Sequence, residues 1–190
     1  KPIYLKEIKE KLIDIKDDGT FKLDMSYFKY HRGFRMTSRK FHKLFGAKPR
    51  SDKEELTQFH MDLASSIQHV AEEIVIKLAL SLKKETGANN ICLAGGVALN
   101  CVANGKLLRE KIFDNCWIQP ASGDAGSALG AALLVWHEHF NKPRVVNPND
   151  SMKGTYLGCH YSNEEITSYL RKIKAPFATF LDEELFEKIA

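Results

Sequence analysis

Two short stretches of this chain combine small residues with polar side chains in patterns that suit phosphate chemistry. The first, ICLAGGVALNCVAN at residues 91–104, is an apolar run that breaks on Gly95 and Gly96 and continues into helix-compatible residues. Glycines allow a tight turn and close ligand approach, and the unpaired N–H groups and dipole of a helix start favour an anion. Asn100 can cap or line that helix. The spacing of the glycines matches neither a Walker loop nor the glycine fingerprint of dinucleotide-binding folds. An ordinary glycine turn that binds no ligand therefore stays the alternative interpretation.

The second stretch, ASGDAGSALGAALLVWHEHF at residues 121–140, puts small residues at the start of a predicted helix. Gly126 and Gly130 are four residues apart, so a strand, another helix or a nucleotide can come close to that helix. Ser122 or Asp124 is placed to cap the first amides. Asp124 has a second option, which is to hold a divalent metal together with the phosphates of a nucleotide.

The elements around these two stretches predict an α/β fold. Apolar spacing and turn residues first indicate a helix over residues 1–12, a β-hairpin around Asp18 and Gly19, and a helix that Thr37 or Ser38 caps and that runs to Phe45. Next comes a long helix, or two in tandem, over residues 53–86, capped by Ser51 or Asp52 and closed by Gly87. A buried strand at residues 91–93, a helix to about Phe113, a strand that Pro120 stops and the helix near Asp124 follow. This order is typical of helices packed on a mixed sheet. Because open α/β sheets bind ligands at the carboxyl ends of their strands, the corners at residues 94–100 and 120–126 favour a nucleotide.

The segment YFKYHRGFRM at residues 27–36 is both aromatic and basic. It is a loop or strand that could lie against a ligand or another domain. An aromatic-anchored surface loop is the alternative interpretation.

Composition excludes several classes of protein. The chain has 190 residues, 44% of them hydrophobic and 27% charged, as in globular domains. A net charge of +4, with lysines spread along the chain, argues against nucleic-acid binding, and no apolar run is long enough to cross a membrane. The four cysteines form no CxxC pair, so we expect reduced, mostly buried thiols in a cytoplasmic protein.

A change in composition divides the chain. Residues 143–158 are rich in Pro, Asn and Gly and predict a linker, with one domain over residues 1–142 and the start of another over residues 159–190. The second part is expected to contain a helix after Ser162, a strand at residues 177–181 and a further helix start. Since the chain begins without Met and stops at Ala190 inside that last helix, we expect a piece of a larger protein.

Several motifs together resemble one family. The runs AGGVALNCVANGKL and QPASGDAGSALGAAL, preceded in order by FHKLFG and HMDLASSIQHVAEEI, are similar to the O-carbamoyltransferases of the nodulation and antibiotic-biosynthesis type. The tail GTYLGCHYSNEEI resembles the opening of the family's C-terminal domain. The resemblance implies the second half of an actin-like catalytic domain, of the sugar-kinase and heat-shock type, followed by the start of a separate α+β domain.

The resemblance also implies an activity and a site. Carbamoyl phosphate and ATP give a carbamoyl-adenylate, whose carbamoyl group passes to a hydroxyl of a small-molecule acceptor. Five residues match the family's nucleotide-binding positions, namely Gly95, Gly96, Asn100, Gly123 and Gly126. Asp124 matches an aspartate that helps bind a metal, iron by resemblance, although one carboxylate also suits Mg²⁺.

The chain departs from the family pattern in one respect. The family's other metal ligands are two histidines in an HxxxH motif, which this sequence lacks, and His137 and His139 have the wrong spacing to replace them. The chain alone is therefore expected to be inactive, with its catalytic residues elsewhere. Two alternatives stay open: a non-catalytic nucleotide-binding or regulatory module of the same fold, and a relative that transfers threonylcarbamoyl groups to tRNA.

Overall fold

The computed structural model describes residues 1–147, 149, 151–152 and 155–189, and the chain separates into two units, Lys1–Arg144 and Val145–Ala190. The first unit contains α1 (Leu5–Glu7) with a π-helical continuation (Ile8–Leu12), β1 (Ile13–Ile15), β2 (Phe21–Leu23), a 3₁₀ turn (Met25–Tyr27), α2 (Arg39–Phe45), α3 (Gln58–Thr86), β3 (Asn90–Leu93), a 3₁₀ turn (Gly96–Leu99), α4 (Cys101–Arg109), β4 (Asn115–Ile118) and α5 (Asp124–Leu134) with a π-helical continuation (Val135–His139). The second unit contains α6 (Asn163–Lys172) and α7 (Asp182–Ile189).

The amino-terminal part of the first unit packs around α3. The amphipathic helix and the β1–β2 hairpin form as predicted, with Ile13 paired to Leu23 in antiparallel register. Their apolar faces meet α2 and α3 in a core of Ile8, Leu12, Ile13, Tyr27, Phe45 and Val70. The ring of Tyr4 lies edge-on to Phe45, at 5.5 Å between centroids. This core fixes α3, which in turn contacts α4 beside the glycine stretches.

Capping explains where α2 and α3 begin. Of the two predicted caps of α2, Thr37 and Ser38, the structure has Ser38, whose hydroxyl accepts from the N–H of Lys40. The long helix α3 begins at Gln58, five residues later than predicted, and Thr57 caps it instead of Ser51 or Asp52. The reason is that Thr57 and His60 exchange hydrogen bonds across the first turn.

The sheets are smaller than the predicted mixed sheet. β1 and β2 form one antiparallel pair, and β3 and β4 form a separate parallel pair in which Leu93 lies beside Ile118. The strand predicted at residues 91–93 forms, but the prediction that it is buried is wrong, because Ile91 and Leu93 are only half-buried and Cys92 is exposed. Cys101 and Cys159 are exposed as well, so the expectation of mostly buried thiols also fails. The observed class is mixed α/β with helices and small sheets.

The second unit contains only helices among its described residues. The hydroxyl of Ser162 and the carboxylate of Glu165 form the predicted capping box of α6. The strand predicted at residues 177–181 does not form, since no described segment of this unit is available to pair with it. Pro148, Asp150 and Gly154 of the predicted linker lie outside the described residues, and the assignment of residues 143–158 as a linker stays a prediction.

Throughout the described residues, no helix has the length and apolarity that a membrane crossing requires.

Candidate functional site

The two glycine-containing corners meet at one edge of the β3–β4 sheet. β3 and β4 are parallel, so both chains leave the sheet on the same side. The N–H of Gln119 donates to the carbonyl of Leu93 at 3.0 Å, and beyond the strands the N–H of Gly95 donates to the carbonyl of Ser122 at 2.9 Å. The structure therefore brings together the stretches that the sequence predicts to act jointly.

The first corner depends on the backbone conformation of Gly95. Its φ of +97° lies in the region that residues with a side chain rarely adopt. The chain then makes the 3₁₀ turn Gly96–Leu99, and Asn100 starts α4. A Cβ added at Gly95 or Gly96 would meet no atom within 4 Å, so this side of the turn is open.

The side chain of Asn100 has structural partners. Its oxygen accepts from the N–H of Ala103 at 3.1 Å and caps α4. Its amide group forms a reciprocal pair with Gln68 of α3, with donor–acceptor distances of 2.9 and 3.1 Å. Only one amide hydrogen of Asn100 has no partner among the described residues. Contact between Asn100 and a nucleotide stays a prediction, and its observed contacts fix the corner to α3.

A partly buried polar network behind the first corner was not predicted. Gln68 also donates to Glu72 at 3.0 Å, and Lys106 of α4 pairs with the other oxygen of Glu72 at 3.3 Å. Burial raises the pKa of Glu72, but the hydrogen bonds from Gln68 and Lys106 and the positive charge of Lys106 outweigh it, so that pKa lies below its usual range. A signal existed in the sequence, because Gln68 and Glu72 are four residues apart on the same helix face. The prediction for α3 used only its apolar residues and did not include these two polar ones.

The second corner begins α5 without a side-chain cap. Gly123 occupies the N-cap position, so the prediction that Ser122 or Asp124 caps this helix is wrong. The Ser122 hydroxyl instead donates to the carbonyl of Gln119 within the preceding turn. Asp124 is the first residue of α5, and its exposed carboxylate has no hydrogen bond or ion pair with any residue that the structure describes. Within the described part of the chain, the corner thus presents an unpaired carboxylate beside helix amides that have no side-chain cap.

Gly126 is required by packing inside the second corner. A Cβ at this position would lie 2.0 Å from the carbonyl oxygen of Ala121, which belongs to the turn before the helix. The N–H of Gly126 also donates to the carbonyl of Gly123 at 3.1 Å. A Cβ added at Gly123 would meet no atom within 4 Å. Direct contact of Gly123 or Gly126 with phosphates stays a prediction.

The described part of the chain supplies one candidate metal ligand at this edge. No group of three His, Cys, Asp or Glu side chains comes together there or elsewhere among the described residues. The ring of His137 contacts the carbonyl of Lys142 at 2.8 Å in the π-helical segment after α5. Asp124 could therefore hold a metal only together with ligands that these residues do not provide.

Comparison with known proteins decides the family. The family model described as the carbamoyltransferase N-terminus matches residues 4–133, which include both corners. The chain belongs to the carbamoyltransferase family. The resemblance found in the glycine-containing motifs is thereby confirmed, and with it membership of a family of transferase enzymes.

Relatives of this carbamoyltransferase chain are longer than it is. An uncharacterized protein of Synechocystis sp. is 52% identical over 191 residues, which cover 100% of this chain and 31% of that protein. Nodulation protein NolO of Bradyrhizobium diazoefficiens is 44% identical over 111 residues, covering 58% of this chain and 20% of that protein. Nodulation protein NolNO of Sinorhizobium fredii is 50% identical over 82 residues, covering 43% of this chain and 12% of that protein. The chain thus spans about a third or less of the length of these relatives.

Proposed function

We propose that this chain is part of an ATP-dependent O-carbamoyltransferase. In that reaction carbamoyl phosphate and ATP give a carbamoyl-adenylate, and the carbamoyl group then passes to a hydroxyl of a small molecule. The observation that supports the proposal is the junction of the two corners, through the Gly95–Ser122 hydrogen bond, in a chain of this family. Since the chain covers 31% of the Synechocystis relative, the complete activity is assigned to a longer, cytoplasmic protein and not to this chain alone.

The same proposal includes the finer architecture. Residues 1–142 would form part of an actin-like catalytic subdomain, and residues 159–190 would begin an α+β C-terminal domain. The parallel β3–β4 pair, with α4 following β3 and α5 following β4, is compatible with that arrangement.

Backbone groups at the two corners suit the phosphates of ATP. The first amides of α5 have no side-chain cap, and the helix dipole adds partial positive charge there. The turn at Gly95 and Gly96 is open on the side where a Cβ would stand, so a ligand can approach the backbone closely. Fixed amides of this kind stabilise negative charge without reorganising during the reaction.

Asp124 is the residue proposed to hold a divalent metal. Its carboxylate is exposed and has no partner among the described residues, which leaves both oxygens available to a hard cation. When bound, a metal such as iron or Mg²⁺ would offset the charge of the phosphates. The remaining ligands would come from the rest of the longer protein.

The test is pyrophosphate release from ATP by a protein of family length that contains this chain. We expect release to depend on carbamoyl phosphate and to fall by at least about tenfold in Asp124→Asn. Asp114→Asn, which removes another exposed carboxylate of the same unit, is the matched control and should retain activity.

Two outcomes would change the proposal. Release that is independent of carbamoyl phosphate would remove the carbamoyl-adenylate step. ATP binding without any release would identify a non-catalytic nucleotide-binding module.

A further inference from the structure

The charges of the first unit are unevenly distributed. Residues 25–51 contain eight Lys and Arg and no Asp or Glu. The whole chain has 28 Lys and Arg against 24 Asp and Glu, so the remainder has 20 against 24 and a net charge of −4. The lysines are spread along the chain, but the excess of positive over negative charge lies in this one short segment.

This segment contains a closed loop. Phe28 and Thr37 form an antiparallel bridge, and the N–H of Lys29 donates to the carbonyl of Met36 at 3.0 Å. Next to the bridge, the N–H of Ser38 donates to the carbonyl of Tyr27 at 2.9 Å. Residues 28–37 thus form a hairpin-like loop with a defined base.

One of the eight cations holds the base of this loop. Lys40 of α2 pairs with Asp24 at 3.2 Å, donates to the Ser26 hydroxyl at 2.6 Å, and lies 4.1 Å from the centroid of the Tyr27 ring. Hydrogen bonds from the side chain and backbone N–H of Ser26, followed by those from Lys40, lower the pKa of Asp24 to about 2. Lys40 therefore has a structural role.

Four other cations of the segment have no such charged partner among the described residues. An open cleft of about 1170 Å³ between the loop and α2 is lined by Lys29, Arg35, Arg39 and Lys48. None of these four forms an ion pair with a described residue. Phe34 and Met36 line the same cleft with relative exposures of 110% and 69%. As far as the described residues go, the cleft thus combines unpaired positive charge with exposed apolar surface.

We propose that this cleft binds a phosphorylated small molecule, at a site separate from the two glycine corners. The guanidinium groups of Arg35 and Arg39 match phosphate oxygens in bidentate geometry, and lysines supply further point charges. Phe34 and Met36 can cover the organic part of the ligand. One concave cleft of this volume suits a small molecule better than a nucleic acid, which is recognised by basic groups along an extended backbone.

The test is calorimetric titration of the 190-residue chain with inorganic pyrophosphate at about 0.15 M salt, where exposed charges are screened. We expect saturable binding that weakens by at least about tenfold in Arg35→Gln/Arg39→Gln, because each arginine donates charged hydrogen bonds. Lys84→Gln/Arg109→Gln makes the same change of charge at exposed positions outside the cleft and should leave the affinity unchanged. Circular dichroism of each variant checks that the fold is retained.

Further titrations define the ligand. ATP that binds more tightly than pyrophosphate in the same cleft would indicate a nucleotide, whereas equal or weaker binding would indicate a smaller phosphorylated molecule. Both results support the proposal. Because the arginines lie outside the glycine corners, loss of pyrophosphate binding here is a separate result from loss of ATP turnover in Asp124→Asn.

Two results would overturn the proposal. Equal weakening in the cleft variant and in the Lys84→Gln/Arg109→Gln control would show a non-specific attraction between charges. Absence of pyrophosphate binding, together with tRNA binding that the cleft variant loses, would assign the segment to nucleic acid.

Discussion

The two corners at the β3–β4 edge are alike in sequence and different in how they are held. At the first corner Asn100 is fixed through Gln68 and Glu72 to the long helix α3. At the second corner Asp124 has no hydrogen bond or ion pair with a described residue, and the turn is shaped by the close approach of Gly126 to Ala121. The first corner uses its polar side chain to position the backbone, whereas the second presents its polar side chain to solvent. A pattern of small residues followed by a polar residue therefore predicts a corner, but it does not predict the role of the polar side chain.

The largest expected effect is on the first corner, in Asn100→Ala. The change removes the cap of α4 and leaves the amide of Gln68 without its partner. We expect the free energy of unfolding to fall by about 2–3 kcal/mol, measured by urea denaturation. Asn115→Ala, which breaks an exposed amide pair with Asn90, should cost less than about 1 kcal/mol. Equal costs would mean that the network with α3 does not hold the corner.

The next effect is on the second corner, in Gly126→Ala. The added methyl group would lie 2.0 Å from the carbonyl oxygen of Ala121, so the turn must shift. We expect a loss of about 1–3 kcal/mol in the same denaturation measurement. Gly130→Ala in the same helix meets no atom within 4 Å and should be neutral or stabilising by up to about 1 kcal/mol. If both variants behaved alike, steric packing would not explain the glycine at position 126.

A smaller effect is expected on the stability of the protein at low pH, through Glu72. The pKa of Glu72 is lowered in the folded state, so its contribution is present above the unfolded value near 4.5 and is lost as the pH falls through the folded value. We expect Glu72→Gln to lower the free energy of unfolding by about 1 kcal/mol at pH 7. On acidification to about pH 3, the variant should lose less stability than the parent protein. Urea midpoints at both pH values measure this. Glu110→Gln, at an exposed glutamate with no ion pair among the described residues, is the control and should follow the parent.

The smallest effect on stability is expected at Asp124. Since its carboxylate has no partner among the described residues, Asp124→Asn should change the free energy of unfolding by less than about 0.5 kcal/mol. A much larger loss would show that this carboxylate positions the turn in the way that Asn100 positions the first corner. The contrast between the corners would then disappear.

Local features account for what could be predicted about the fold. The Asp-Gly hairpin, the Ser38 cap, the end of α3 at Gly87 and the capping box at Ser162 all depend on residues a few positions apart. The errors arose where alternatives were chemically similar. Ser51, Asp52 and Thr57 are all good caps, and only the reciprocal bonds between Thr57 and His60 select the start of α3. At α5 the turn places Gly123 at the cap position, although Ser122 and Asp124 are the stronger capping residues.

Sequence by itself determined the family, the order of most elements and the positions of the two corners. These follow from the residues of the motifs, the periodicity of apolar residues and the turn residues. Tertiary structure alone decided that Gly95 bonds to Ser122, that Asn100 pairs with Gln68, and that Asp124 has no hydrogen bond or ion pair among the described residues. The same holds for the cleft beside α2, where the loop closed between Phe28 and Thr37 gathers cations into one place. The physical reason is that hydrogen-bond partners and steric contacts depend on which distant segments pack together, and that information is absent from local spacing.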